Sequence, residues 1–208
     1  MTSDASEMRV AAVLLAAGES TRMGEPKALL PWINDEPLVS YQLHALKEAG
    51  YEPIIVVLGH DPYTIDAALP DDVRVWAVVN DRYKMGRTTS IVTGAVHVAT
   101  PETDGLLIIS VDQPRSVAML RTLREAWERE QPYIAIPSLN GKGGHPPLFD
   151  GGLIPELLQV TEEEEGLRQV MRNFADQRLF VDVDDPLTLT NLNTQEDYEA
   201  ALAIAQGG

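Results

Sequence analysis

Apolar and polar positions fall along this chain in blocks of two kinds. Short, largely apolar runs recur at 10–16 (VAAVLLA), 53–58 (PIIVVL), 73–79 (VRVWAVV), 105–111 (GLLIISV) and 133–137 (YIAIP). Runs of this length, apolar at successive positions, predict strands buried on both faces. Between them lie stretches with apolar residues at helical spacing. The first spans 37–49, with Leu38, Tyr41, Leu43, Leu46 and Ala49 on one side and Gly50 as its stop. The next spans 61–69, with Asp61 as a cap and Pro62 at the first helical position. Two more are predicted at 88–99 and 116–130. Strand and helix in alternation predict an α/β fold: three-layer and Rossmann-like, with a mostly parallel central sheet flanked by helices.

The pattern changes after residue 137. The segment 140–144 (NGKGG) predicts a mobile loop or hairpin tip, and HPPLF follows at 145–149. Helices are expected at 153–159 and 163–174, and a period-two stretch at 179–183 predicts an edge strand. Residues 193–197 read as a capping segment that opens a last helix over 195–205. There is no repeat, low-complexity tract or linker. Residues 1–208 are therefore expected to form one domain, with 1–8 flexible.

Composition narrows the function. At 44% hydrophobic the chain can bury a sizeable core. No apolar run approaches the roughly 18 residues of a membrane span, so no membrane partner is expected. The first residues, MTSDASEMR, lack the basic and apolar regions of a secretory signal, and there is no cysteine for disulfides or thiolate chemistry. The expected compartment is the cytoplasm. A formal net charge of -16 argues against a nucleic-acid partner. The cations are instead grouped in two loops, one with Arg22 and Lys27, the other with Arg82, Lys84 and Arg87. The acidic run Glu162–Glu165 is read as the solvated first turn of a helix.

Candidate chemistry starts at residues 10–30. The apolar run ends at Ala17-Gly18 and gives way to a polar loop with Glu19, Ser20, Thr21, Arg22, Gly24 and Glu25 before Pro26-Lys27. Glycine lets backbone N–H groups approach an anion, and the two cations add charge; this is a phosphate-binding design. In parallel sheets ligands bind at the carboxyl ends of strands. Three features are expected there: this loop, the 80–86 loop that opens with Asn80, and Asp112-Gln113-Pro114. A strand-end aspartate can hold Mg²⁺ against a phosphate. The hydroxyls after Gly86, at a helix start, can donate to a base or phosphate.

Residues 15–27 lack both the Walker Gly-Lys-Ser/Thr and the three-glycine dinucleotide spacing. They resemble the N-terminal loop of the nucleotidyltransferase superfamily, LAAG-x-S-x-R-M-G-x-x-K, with Leu15, Ala16, Ala17, Gly18, Ser20, Arg22, Met23, Gly24 and Lys27 all matching. Asn80 with Gly86-Arg87-Thr88-Thr89-Ser90 resembles an N…G-M-S-S-S-L segment, departing at Arg87. Gly144-His145-Pro146 with Leu148-Phe149 resembles GHPVLF. Residues 191–197 resemble D-[IV]-D-T-P-E-D, with Asn191 and Asn193 in place of both leading acids and Gln195 in place of proline. Over about residues 9–205 the chain resembles the MobA-like nucleotidyltransferase family, and LAAG and GHP resemble its CTP-using molybdenum cofactor cytidylyltransferase branch.

The resemblance implies transfer of a nucleotidyl group from CTP, or another NTP, to the terminal phosphate of a molybdopterin-type acceptor, releasing pyrophosphate. It implies that Leu15, Ala16, Ala17, Gly18 and Ser20 cradle the nucleotide. Arg22 would hold the β- and γ-phosphates, and Lys27 would sit between the α-phosphate and the acceptor phosphate. Asp112 would carry Mg²⁺ or Mn²⁺, with Asn191 or Asn193 completing the metal site. Asn80 and Ser90 would line the base and ribose pocket, and Gln113, Gly144 and His145 would face the acceptor. A molybdoenzyme or a maturation factor is the implied protein partner. Two alternatives stand beside this: a GTP-using or sugar-phosphate transferase, and a nucleotide-binding accessory protein without catalysis, which the two asparagines motivate.

Overall fold

The first apolar run forms β1 (Val10–Ala16), and all seven of its residues are buried. A strand without a polar face must be covered above and below and paired on both edges. β2 (Ile54–Leu58) pairs with it in parallel on one edge, Ala12 opposite Ile54. β4 (Gly105–Ser110) does so on the other, Val10 opposite Gly105 and Leu15 opposite Ser110. β3 (Val75–Val79) adds to β2, also in parallel, and forms one margin of the sheet; its half-exposed residues fit an edge position. The computed structural model describes residues 8–20 and 24–207.

Beyond β4 the sheet continues through β5 (Ile134–Leu139), β6 (Lys142–Gly143), β7 (Leu148–Asp150) and β8 (Arg178–Asp182). Among the described residues the order is β3-β2-β1-β4-β7-β5-β6, with β8 on the outer side of β5. β7 runs antiparallel to both β4 and β5, so the sheet is mixed but mostly parallel. The expected hairpin tip is present: β5 and β6 pair across Asn140 and Gly141. The 179–183 edge strand is present as β8, parallel to β5. β7 is unexpected, because His-Pro-Pro before a three-residue strand gives little strand periodicity.

Alternate side chains of each central strand separate into two cores. Val10, Ala12, Leu14 and Ala16 face α1 (Leu38–Glu48), α4 (Val117–Glu130) and α7 (Gln195–Gln206). Ala11, Val13 and Leu15 face α3 (Arg87–Val96), α5 (Ile154–Leu157) and α6 (Leu167–Asn173). The short α2 (Pro62–Asp66) packs Ile65 into the first core. The result is a three-layer α/β/α arrangement.

α6 is shorter than the expected helix at 163–174. Residues 162–166 form turns, and Gly166, at φ +58°, precedes the first helical residue. The acidic run is therefore not the first turn of a helix. Four adjacent carboxylates repel one another, and Glu162 finds a better partner in the Thr88 N–H, 2.7 Å away.

The chain runs from β1 through β2 to β3 on one side, then returns to place β4 on the other side of β1. The loops after β1 and β4 thus leave the sheet in opposite directions and open a crevice. α3 borders it, lying close to the sheet at Gly94. A Cβ there would stand 2.4 Å from Val13 Cγ1 and 2.9 Å from Val13 Cγ2. Gly94→Val is expected to destabilise the protein by about 2–3 kcal/mol, overpacking outweighing the few tenths gained in helix propensity. Chemical denaturation measures this; an unchanged midpoint would contradict the close packing.

Candidate active site

The loop after β1 is held by the loop after β2. The His60 N–H donates to the Ala17 carbonyl at 3.1 Å. Gly59 makes this approach possible, since a Cβ at that position would lie 2.7 Å from the Ala17 oxygen. Ser20, at φ 51°, accepts the Lys27 N–H on its Oγ at 3.0 Å and so bends the chain back towards the sheet. Lys27 opens a single 3-10 turn and points at the end of β4, where its Nζ lies 3.5 Å from Asp112 Oδ2. The two side chains are 15% and 30% exposed: sheltered, yet open to a ligand.

Around this pair lies a cleft of about 310 Å³. Leu15, Ala16, Ala17, Gly18, Ser20 and Lys27 line one wall; Ser110, Asp112, Ser90 and Arg87 line the other, with Tyr83 at the margin. Most of the expected nucleotide residues are thus gathered here. Asn80 is not on the wall but behind it. Its amide donates to Thr89 Oγ1 and Ser90 Oγ, both at 2.9 Å, and its carbonyl accepts the Arg82 N–H. This fixes the start of α3 and the Ser90 hydroxyl that does reach the cleft. Arg22 lies outside the described residues.

Gln113 is buried. Its amide donates to Asn191 Oδ1 at 2.7 Å, and its Oε1 accepts from the Ser110 N–H. The Leu192 N–H donates to the Asp112 carbonyl at 2.9 Å, so segment 191–192 lies directly against the end of β4. The Asn193 N–H donates to Asp197 next to the Thr194–Asp197 capping box of α7, and neither Asn191, whose Oδ1 is taken by Gln113, nor Asn193 lines the cleft. Among the described residues no group of three or more His, Asp or Glu side chains is placed to hold a metal alone. A single carboxylate beside a phosphate cleft suits a divalent cation of the Mg²⁺ kind, which takes one or two carboxylates and completes its shell with phosphate oxygens and water.

A second cavity, of about 700 Å³, adjoins the first at Arg87. His145, Arg168 and Arg172 contribute to it with Thr88 and Glu162, and Ile91, Leu167 and Met171 supply apolar surface. Gly144 is fixed beneath by its N–H on the Pro137 carbonyl. Removal of water, then the charges of Arg87 and Arg115, push the His145 pKa down, only partly offset by Asp112. The imidazole is therefore neutral at pH 7, in a cavity with three guanidinium groups and the carboxylates of Glu162 and Glu165, the latter paired with Arg172.

Arg87 and Arg168 were not singled out as site residues in the sequence. The signal for Arg87 was its departure from the family segment; Arg168 carries no motif. Arg115 was also missed. It is 1% exposed and joins three loops of the site.

A glycine-bounded cleft at the switch point of a parallel sheet, with a lysine and a carboxylate facing across it, defines a nucleotide-handling α/β enzyme. The chain belongs to the family of the MobA-like NTP transferase domain, whose model matches residues 12–179, and it is thus a nucleotidyltransferase by family. It is 29% identical over 193 residues to a probable molybdenum cofactor guanylyltransferase of Rhodopirellula baltica, covering 89% of this chain and 88% of that one. It is equally 29% identical to the nicotine blue oxidoreductase of Paenarthrobacter nicotinovorans, covering 90% and 93%. Identity to the molybdenum cofactor cytidylyltransferase of Escherichia coli K12 is 23%, covering 91% and 93%. Among solved structures, a nucleotidyl transferase from Methanothermobacter thermautotroptrophicus superposes with a TM-score of 0.78 at 25% identity, covering 96% and 99%.

His145 is expected to titrate below the ordinary histidine value of about 6.5. Arg87→Gln is expected to raise its midpoint. Because the depressed pKa means that the folded state holds less proton than the unfolded one, His145 costs stability as the pH falls through the unfolded value. An NMR titration of the imidazole resonances checks this, and a wild-type midpoint at or above the ordinary value would contradict it.

Proposed function

We propose that this protein transfers CMP from CTP to the terminal phosphate of a molybdopterin-type acceptor. The carrying observation is the Lys27–Asp112 pair facing across the cleft between the ends of β1 and β4. An acceptor phosphate oxygen attacks the α-phosphorus of the NTP. The bond from that phosphorus to the bridging oxygen of the β-phosphate breaks, pyrophosphate leaves with the electron pair, and a new phosphoanhydride forms. Such a reaction needs in-line positioning and neutralisation of charge rather than covalent help from the protein.

Each residue then has a task. Backbone N–H groups of residues 16–20 hold the nucleotide, and Arg22 holds the leaving β- and γ-phosphates. Lys27 leaves Asp112 for the oxygens of the α-phosphate and the incoming acceptor, where a fixed cation counts most as charge builds up. Asp112 is the residue that would hold Mg²⁺ or Mn²⁺, with Asn191 close by; a metal bound there supplies charge neutralisation at the triphosphate. Ser90 faces the ribose and base, with Asn80 holding it in place. The second cavity takes the acceptor: His145 and Arg87 meet its anionic end, while Gln113 and Gly144 act from behind its lining, Gln113 holding Asn191 and Gly144 bonded to Pro137. We place the enzyme in the cytoplasm, handing its product to a molybdoenzyme or a maturation factor.

A second reading keeps the same chemistry with GTP as donor. The R. baltica relative, named for guanylyl transfer, is closer in sequence than the cytidylyl relative from E. coli. Calorimetric titration of CTP and GTP in the presence of Mg²⁺ separates the two; preferential binding of GTP would overturn the cytidylyl reading. In a pyrophosphate-release assay Lys27→Ala and Asp112→Ala are each expected to lower turnover by about 10²–10³-fold, with melting temperature largely kept. Near wild-type turnover in either variant would refute its assigned role.

A further inference from the structure

We propose that Arg115 is a positioning residue: a buried clamp that fixes the acceptor side of the site against the metal-carboxylate side. Its guanidinium is 1% exposed and forms no ion pair with a described carboxylate. It donates instead to three backbone carbonyls, one on its own neighbour Pro114 and two on distant parts of the chain. Nε reaches the His145 oxygen at 2.8 Å, one terminal nitrogen reaches Pro114 at 2.7 Å, and the other reaches Thr190 at 3.2 Å.

Those carbonyls belong to the three segments that carry Asp112 and Gln113, His145, and Asn191. Burying a guanidinium without a direct ion pair is costly: loss of water pushes its pKa down to about 10, and the charges of Asp185 and Asp112 offset only part of this. A core position needs no such group for packing alone, since an apolar side chain of similar length would fill the volume more cheaply. What only a guanidinium provides is a rigid, planar fork with five donors, able to hold several acceptors at fixed mutual positions. Each link beside it joins only two segments: Gln113 to Asn191, Leu192 to the Asp112 carbonyl, Ser116 to Asp185 at 2.6 Å, the Ile108 N–H to the Pro147 carbonyl at 3.2 Å, and a long contact of 3.4 Å from the His145 N–H to Thr188. Arg115 is the one described side chain that reaches all three segments. Beyond the end of the β4–β7 pairing it therefore helps set the separation between Asp112 and His145, and with it the line from acceptor to α-phosphate. It touches neither donor nor acceptor.

The inference rests on the transfer reading for its kinetic consequence but not for its structural one, and the experiment separates them. Hydrogen exchange is followed by NMR in wild type, Arg115→Gln and Arg115→Lys. The amides of Gly144, Thr190 and Leu192 are expected to exchange about tenfold faster or more in Arg115→Gln, while those of β1 and β4 stay as protected as in wild type. Arg115→Lys, which keeps the charge but not the fork, is expected to fall between. In the transfer assay both variants should lose about 10–100-fold in turnover, the usual cost of removing a group that orients a functional residue, with CTP affinity changed less than about threefold. Unchanged amides in Arg115→Gln would overturn the clamp. So would a loss shared equally by CTP binding and turnover, since that would mark a general structural role. A wild type that releases no pyrophosphate with CTP or GTP would overturn the transfer reading, while the amides would still decide the clamp.

Discussion

β1 has no polar face, and this constraint shapes the rest of the molecule. Its seven buried residues can leave water only if parallel neighbours flank it on both edges and helices cover both faces. The chain meets the first need by building β2 and β3 on one side and returning to lay β4 on the other. That return separates the loops after β1 and β4, and the cleft lies between them. The glycine loop, Lys27 and Asp112 meet because the central strand has to be buried. Close backbone packing at Gly59 and Gly94 then fixes the walls.

A chain with a net charge of -16 is an unlikely-looking host for a triphosphate and a phosphorylated acceptor. The contradiction is removed by distance. Charges separated by more than about 8 Å are largely screened at physiological ionic strength, so the local arrangement outweighs the sum. Lys27, Arg87 and Arg168 line the two joined cavities, with Arg115 buried against the His145 carbonyl, while many of the carboxylates lie on exposed surface. Loss of water, and then the charges of Arg87, Arg115 and Arg168, keep His145 neutral. Within the family, relatives named for guanylyl transfer, cytidylyl transfer and an oxidation share sequence over most of their lengths with this chain.

The sheet and most helices were legible because burial on both faces and helical spacing leave strong, local patterns. The lining of the first cleft was legible for a related reason: a glycine loop at the end of a buried strand is restricted in residue type, as in LAAG and Lys27. β7 was not legible, being three residues long and preceded by two prolines. The acidic turn before α6 was misread because charge alone suggested a solvated helix start, whereas Glu162 is tied to the Thr88 N–H across 74 residues of sequence. Arg115 escaped notice for the same kind of reason. Charged side chains are expected at the surface, and its partners are backbone carbonyls, which carry no sequence signature. Asn80 was expected to line the pocket, but it bonds Ser90 and Thr89 from behind the wall, which needed three dimensions to be seen.

The central claim is that the crevice between β1 and β4 holds a nucleoside triphosphate with its α-phosphate between Lys27 and Asp112. A crystal structure with Mg²⁺ and a non-hydrolysable CTP analogue tests it most directly. The account predicts the triphosphate along residues 16–20, Lys27 released from Asp112 onto the α-phosphate, and Asp112 bound to the metal. A nucleotide bound elsewhere, or a triphosphate in the cleft with Lys27 still paired to Asp112 and no metal between them, would contradict it.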